Sequence, residues 1–312
     1  MQGICKGNQI PATSDSGIRS FLNAALTSGD LSDVQFAVGR DYGISKIFAA
    51  HRNILSMRSP VFRTMFYGSL PEKCDGAIDV PDVHPDAFAN MLSCLYADSV
   101  HLNHENVFPT LYCADRYDIP LLTEHCSRFI FGDLNAGSCL TYLENAVKWR
   151  ADEFVDPCLM VVDAYGESIL RFKRFIQIER KMLEMILRRS SLRASENAIY
   201  VAVEKWATAA CTRNNEEPTA ANRRRILGEV LFLVRFPLMS DTELLDGPAT
   251  SGLLLEAELL DIYRHKHATM QPEIPFLVEP RSCLPRHYPD KEPELEAESP
   301  FCLRKIVRSF HS

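Results

Sequence analysis

Closely spaced cysteines are missing from this sequence, and that absence closes off two chemistries at once. Its 10 cysteines are scattered so widely that no two stand within twelve residues of each other, which excludes a CxxC zinc ribbon and a dithiol redox motif. Unpaired thiols in this number suit a reducing compartment. There is no N-x-S/T sequon, and the opening MQGICKGNQIPATSDSG has no apolar core of the kind a secretory leader needs. No run approaches the roughly eighteen consecutive apolar residues that cross a bilayer. The expected location is the cytoplasm, with the nucleus as the open alternative. Positive charge is also short: 34 Lys and Arg face 41 Asp and Glu, a net charge of −7. Binding to nucleic acid or to an anionic membrane needs concentrated cations to displace counterions from phosphates. Neither partner is expected.

Catalytic signatures are equally scarce. Neither GxGxxG nor GxSxG occurs, and the GxxxxG spacings at Gly132 to Gly137 and Gly247 to Gly252 are not followed by the Lys and Ser/Thr that complete a phosphate-cradling loop. His101, His104 and Glu105 could begin a metal site, but no complementary Cys or His pair accompanies them. Arg223, Arg224 and Arg225 form the strongest basic cluster, and its helical context reads as a solvated face. His265 and His267 sit near a helix C-terminus, where cations suit the dipole. With nucleophile, base and paired carboxylates all unplaced, the chain is expected to be no enzyme and to use no cofactor or metal.

What is present is a normal globular composition, 46% hydrophobic and 24% charged over 312 residues, enough for two domains. Residues 1 to 16 are polar and read as disordered. A helix from Gly17 carries Ile18, Phe21, Leu22, Ala25 and Leu26 on one face and stops near Gly29. Asp33 to Val38 and Ser45 to Ala50 alternate as strands around a Gly39 to Gly43 turn. The stretch Lys46 to Glu72 then packs in two short helices, the second announced by Ser59 as N-cap and Pro60 at the first helical position. A third strand at Ala77 to Val80 precedes a helix with Asp82 as its expected cap, and helices follow around Val107 to Ala114 and Leu122 to Phe129. Strands then helices give an α+β domain over 17 to 131.

From residue 132 to 270 only helices are expected: Ser138 to Ala151, Glu153 to Leu170, Glu179 to Arg188, Ser195 to Thr212, Ala220 to Val234 and Leu253 to His267. Stripes such as Phe154, Cys158, Val161, Val162, Tyr165 and Ile169 supply the core of an all-α domain. Ser240 and Glu243 make a capping box. Residues 271 to 312 read as an acidic, proline-rich solvated tail, with Asp290, Glu292, Glu294, Glu296 and Glu298 at alternate positions. The tail ends in a short basic amphipathic stretch around Leu303, Ile306, Val307 and Phe310.

Five segments together resemble a BTB (POZ) domain: Leu31-Ser32-Asp33-Val34, Ala50-His51-Arg52, Ser59-Pro60-Val61-Phe62, Met65-Phe66-Tyr67-Gly68 and Val80-Pro81-Asp82-Val83. The helical half is similar to a BACK domain at Asp163-Ala164-Tyr165, Ala202 to Trp206 and Leu233 to Met239, and Pro275 to Arg286 resembles the link into a PHR domain, which the sequence does not continue. The resemblance implies a homodimer formed through Ile18, Phe21, Leu22 and Leu55, with Asp33 and Arg52 as a charged pair near the dimer centre. It also implies an adaptor of a cullin-3 ubiquitin ligase. The cullin would meet an apolar-x-Glu turn at Leu70-Pro71-Glu72, supported by Met65, Phe66, Tyr112, Asp115 and Tyr117, and extended by helices from Leu143 to Leu159. Met65 and Phe66 could instead be core. A substrate protein and related BTB proteins are the remaining implied partners. The alternatives are a dimeric scaffold or transcriptional regulator independent of cullin, and a competitor of full-length BTB-BACK-PHR adaptors.

Overall fold

A computed structural model describes residues 17–69, 76–268 and 273–281 and divides the chain into two units at Gly132/Asp133. The expectations for residues 1 to 16, for Leu70, Pro71 and Glu72, and for the tail beyond Arg281 lie outside the described residues.

In the first unit, strict alternation makes β1 (Val34–Val38), which buries Val34, Phe36 and Val38 and turns Gln35 out. Gly39, at φ 94°, opens the turn that follows. A Cβ there would lie 2.6 Å from the Ile44 carbonyl and 2.7 Å from Pro85, so only glycine fits. The chain returns as β2 (Lys46–Ala50), antiparallel to β1 with Ala50 opposite Val34. β3 (Ile78–Val80) lies parallel on the other side of β1, giving the order β2-β1-β3.

Among the described residues six α-helices complete this unit. α1 (Ile18–Ser28) ends at Gly29, whose φ of 69° lets its N–H reach the Ala25 carbonyl. α2 (Arg52–Arg58) and α3 (Pro60–Tyr67) are separated by Ser59, whose hydroxyl accepts from Phe62 N–H while Pro60 fills N1. α4 (Pro85–Ala97) starts three residues after Asp82 and is capped by His84, so the expected cap is displaced to the residue just before the proline. α5 (Val107–Arg116) tolerates Pro109 because the first-turn N–H groups have no helical partner anyway. α6 (Pro120–Asp133) closes the unit. Phe36 is the centre of its core, with the Phe88 ring at 5.2 Å and the Phe62 ring at 5.7 Å.

Among the described residues the second unit holds helices and turns without strands: α7 (Cys139–Trp149), α8 (Val155–Ala164), α9 (Gly166–Ile169), α10 (Arg180–Leu187), α11 (Glu196–Arg213), α12 (Ala220–Leu227), α13 (Asp241–Asp246), α14 (Pro248–Ser251) and α15 (Glu256–His267). The Ser240/Glu243 capping box is formed. The single helix expected over Glu153 to Leu170 is broken, and the cause is another backbone. In a continuous helix Glu167 N–H would bond to the Asp163 carbonyl. Instead Arg193 N–H takes that carbonyl at 3.0 Å and the Arg193 carbonyl takes Glu167 N–H at 3.0 Å. Gly166 permits the insertion, since a Cβ there would stand 2.8 Å from the Arg193 oxygen. The helix expected to run from Ala220 to Val234 likewise stops at Gly228, at φ 50°, and continues as a 3-10 segment, Gly228–Leu233.

Residues 273–281 were expected to be solvated and are partly built into this unit. Phe276 is 4% exposed, with its ring 5.4 Å from Phe232 and 5.3 Å from Phe236. The Arg281 side chain, 6% exposed, pairs with Glu196 at 2.7 Å and donates to the carbonyls of Leu187, Arg189 and Leu233.

Candidate docking surfaces

The LSDV and AHR segments become one lock in three dimensions. Ala50 accepts from Asp33 N–H at 3.1 Å, and the Asp33 carboxylate in turn accepts from the backbone N–H of Arg52 at 2.8 Å. α2 has no cap from its own N-cap residue, His51. Asp33 therefore supplies the missing acceptor from the end of another strand. The side chain of His51 is held on both sides. Its Nε2 meets the Asp30 carbonyl at 2.8 Å, so that nitrogen carries the hydrogen. Nδ1 then accepts from the Tyr96 hydroxyl at 2.7 Å, and that hydroxyl accepts from His51 N–H at 2.8 Å. Burial pushes the Tyr96 phenol up to about 12, so it stays a donor.

This arrangement corrects the expected Asp33 and Arg52 charge pair. The carboxylate engages the Arg52 backbone, while the guanidinium lies 5.4 Å over the Phe66 ring. Three further residues assigned to docking surfaces are core, Phe66 thereby taking the second of its two readings. Leu55 is fully buried, Phe66 is 4% exposed, and Tyr117 is 2% exposed with its ring stacked 4.5 Å from Phe62. The Tyr117 carbonyl also accepts from the Ser59 hydroxyl at 2.5 Å. Each therefore serves the interior of its own unit and has no face to offer a partner. Leu143 and Leu159, the ends of the expected cullin-extending stretch, are buried within the second unit.

The remaining expected positions do reach the surface. On α1 no residue is buried: Ile18 is 76% and Phe21 69% exposed, with Leu22 half-buried. α1 lies along α4 and is tied down by Arg19, which pairs with Asp98 at 3.3 Å while Arg58 pairs with the same carboxylate. The hydrogen bond from Arg58 holds the Asp98 carboxyl below its usual range. Met65 is half-buried on α3, and Asp115 is exposed on α5. Tyr112 is half-buried and donates to Asp82 at 3.0 Å, a carboxylate that Arg116 also pairs with. Burial pushes the Asp82 carboxyl up, but hydrogen bonds from its own backbone, Tyr112 and Arg116 outweigh it and hold the group below the usual range. Sequence spacing could not have found this cluster, since its members stand 30 and 34 residues apart.

In the second unit two of the three consecutive arginines, Arg223 and Arg224, are drawn in from the solvated face expected of them, and Arg225 stays exposed. Arg223 pairs with Glu204 at 2.8 Å, Arg224 with Glu258 at 2.6 Å, and Arg225 with Glu216. One helical turn thus latches three other segments. The free cysteines among the described residues are buried, and burial raises Cys94 to about 11 and Cys126 and Cys139 to about 12. Such thiols stay protonated at neutral pH and are poor nucleophiles.

Comparison with known proteins matches this organisation. The family model "BTB/POZ domain" covers residues 22–133, and "BTB And C-terminal Kelch" (BACK) covers 139–247. BTB/POZ domain-containing protein 3 of Mus musculus is 34% identical over 285 residues, 90% of this chain and 53% of the relative. BTB/POZ domain-containing protein 6-B of Danio rerio is 35% identical over 263 residues, 84% of this chain and 54% of the relative. BTB/POZ domain-containing protein 6 of Homo sapiens is 35% identical over 263 residues, 84% and 48% respectively. The chain spans about half the length of the curated relatives it matches.

Proposed function

The chain belongs to the BTB-BACK family, a family of scaffolds and adaptors, and from that premise we propose that it is a non-enzymatic, self-associating adaptor that docks cullin-3 through its BTB unit. The observation that carries this is the surface of that unit. Ile18 and Phe21 stand exposed on α1, and Leu31 is 94% exposed in a left-handed backbone at φ 60°. An exposed apolar side chain on a strained backbone has no use within the unit and suits a contact. The cullin contact is assigned to Leu70 and Glu72, directly beyond α3, with Met65, Tyr112 and Asp115 as neighbours in the family pattern. An apolar anchor beside a carboxylate offers burial to one pocket and charge to a basic rim.

The test is retention of cullin-3 on immobilised chain. Wild type is expected to retain it, and Leu70→Asp combined with Glu72→Lys to reduce retention by about tenfold or more, since reversing a charge and burying another each cost at least about 1.4 kcal/mol. Wild type that retains no cullin-3 overturns the adaptor role and leaves a scaffold. Retention unchanged in the double variant overturns the assigned site alone.

A further inference from the structure

An open cleft of about 630 Å³ in the second unit carries charge that the docking surfaces above do not use. Beneath it Ile178 and Trp206 are buried, the indole N–H held by the Ile178 carbonyl at 2.9 Å. Its walls carry Arg180, Arg213 and Arg225 against Glu144 and Glu179. Two of these charges are already spent, because Arg225 pairs with Glu216 and Glu144 with Arg174. Arg180 and Arg213 differ. Arg180 donates to the Leu227 carbonyl at 3.1 Å, and Arg213 donates to the Ile176 carbonyl at 2.6 Å with its guanidinium 5.8 Å over Trp206. Among the described residues neither guanidinium has a carboxylate against it, and each keeps further N–H donors. The cleft therefore suits an acidic strand.

We propose that the occupant is this chain's own segment Asp290 to Glu298, reading DKEPELEAE. Carboxylates at 290, 292, 294, 296 and 298 match Arg180 and Arg213 and outnumber Glu179, the wall carboxylate that no ion pair engages among the described residues. Reach agrees with charge. Arg281 is fastened to Glu196 at the start of α11, and the cleft lies at the other end of α11 beside Arg213. That helix of 18 residues is about 27 Å long at a rise of about 1.5 Å per residue. The stretch from Ser282 to Asp290 spans up to about 30 Å when extended, at about 3.3 Å per residue. The tail thereby covers the cleft against other acidic partners, independently of any cullin contact.

Amide hydrogen exchange on the full chain tests this. The comparison is wild type against a tail-neutral variant carrying Asp290→Asn, Glu292→Gln, Glu294→Gln, Glu296→Gln and Glu298→Gln, which leaves both folded units untouched. Exchange at Cys211 to Asn214 is expected to quicken by about fivefold in the variant, and in wild type at about 0.5 M salt, where screening weakens exposed pairs. Conversely, Arg180→Gln with Arg213→Gln should speed tryptic cleavage after Arg286 and Lys291 by a similar factor. Exchange identical in wild type and the tail-neutral variant overturns the proposal. So does cleft protection that rises with protein concentration, which would assign the site to the tail of a second copy.

Discussion

Asp33 and Arg52 separate two explanations of the same pair of residues. As a buried ion pair, both charges would matter and Asp33→Asn would be costly. As an N-cap reached from a neighbouring strand, only the oxygen at position 33 matters, because Asn caps about as well as Asp. The 2.8 Å bond from Arg52 N–H to the Asp33 carboxylate favours the second. Asp33→Ala is expected to lower stability by about 1 kcal/mol and Asp33→Asn by a few tenths, read as denaturant midpoints. Arg52→Gln gives up its position over Phe66, worth about 0.5–1 kcal/mol. A midpoint for Asp33→Asn as low as that for Asp33→Ala would return the role to charge. Position 33 also shows where sequence stops informing. Leu31 to Val34 and Ala50 to Arg52 were legible as motifs, yet their joint purpose lies in a hydrogen bond across 19 residues. Tyr117 and Leu55 misled for a similar reason. Helical spacing says that a residue lies on a face, and only the packed neighbour says whether that face is inside.

Elements whose ends are set locally were readable, and those whose ends are set by a distant strand of chain were not. Ser59, Ser195 and Ser240 each cap the helix that follows with their own hydroxyl, and Gly29 ends α1 through its own φ. By contrast α8 ends because Arg193 occupies the Asp163 carbonyl. The strap at 273–281 is the extreme case, since its prolines and charges suggest solvent while its function depends on a pocket made by α10, α11 and the 3-10 segment before Phe236. Arg281 satisfies three carbonyls and Glu196 at once. Removing one partner of such a buried pair costs about 3–5 kcal/mol. Arg281→Ala is therefore expected to release the strap and expose Glu196, seen as faster exchange at 187–190 and 233–235 and a lower denaturant midpoint. Arg281→Lys should recover only part, because an ammonium cannot reproduce the planar fork. An Arg281→Ala protein with unchanged protection at those residues would mean the strap is held by Phe276 alone.

At the scale of the molecule, each unit buries a core of its own, and what remains exposed decides what the chain can join. In the first unit that remainder includes α1, a helix with no buried residue and two large apolar side chains in solvent. Self-association through it carries a thermodynamic signature that no monomer shares. A native state that pairs is stabilised by mass action, by about 0.7 kcal/mol per protomer for each tenfold rise in concentration. The thermal midpoint of wild type should then climb with concentration, and the protein should sediment at twice the 35.3 kDa chain mass. Ile18→Asp with Phe21→Asp changes only exposed positions, so its folded units should survive while it sediments at the chain mass with a midpoint independent of concentration. A wild type that sediments at the chain mass at tens of micromolar would remove the dimer from the proposal. If wild type and variant both sediment as dimers, self-association persists and its surface moves elsewhere on the BTB unit.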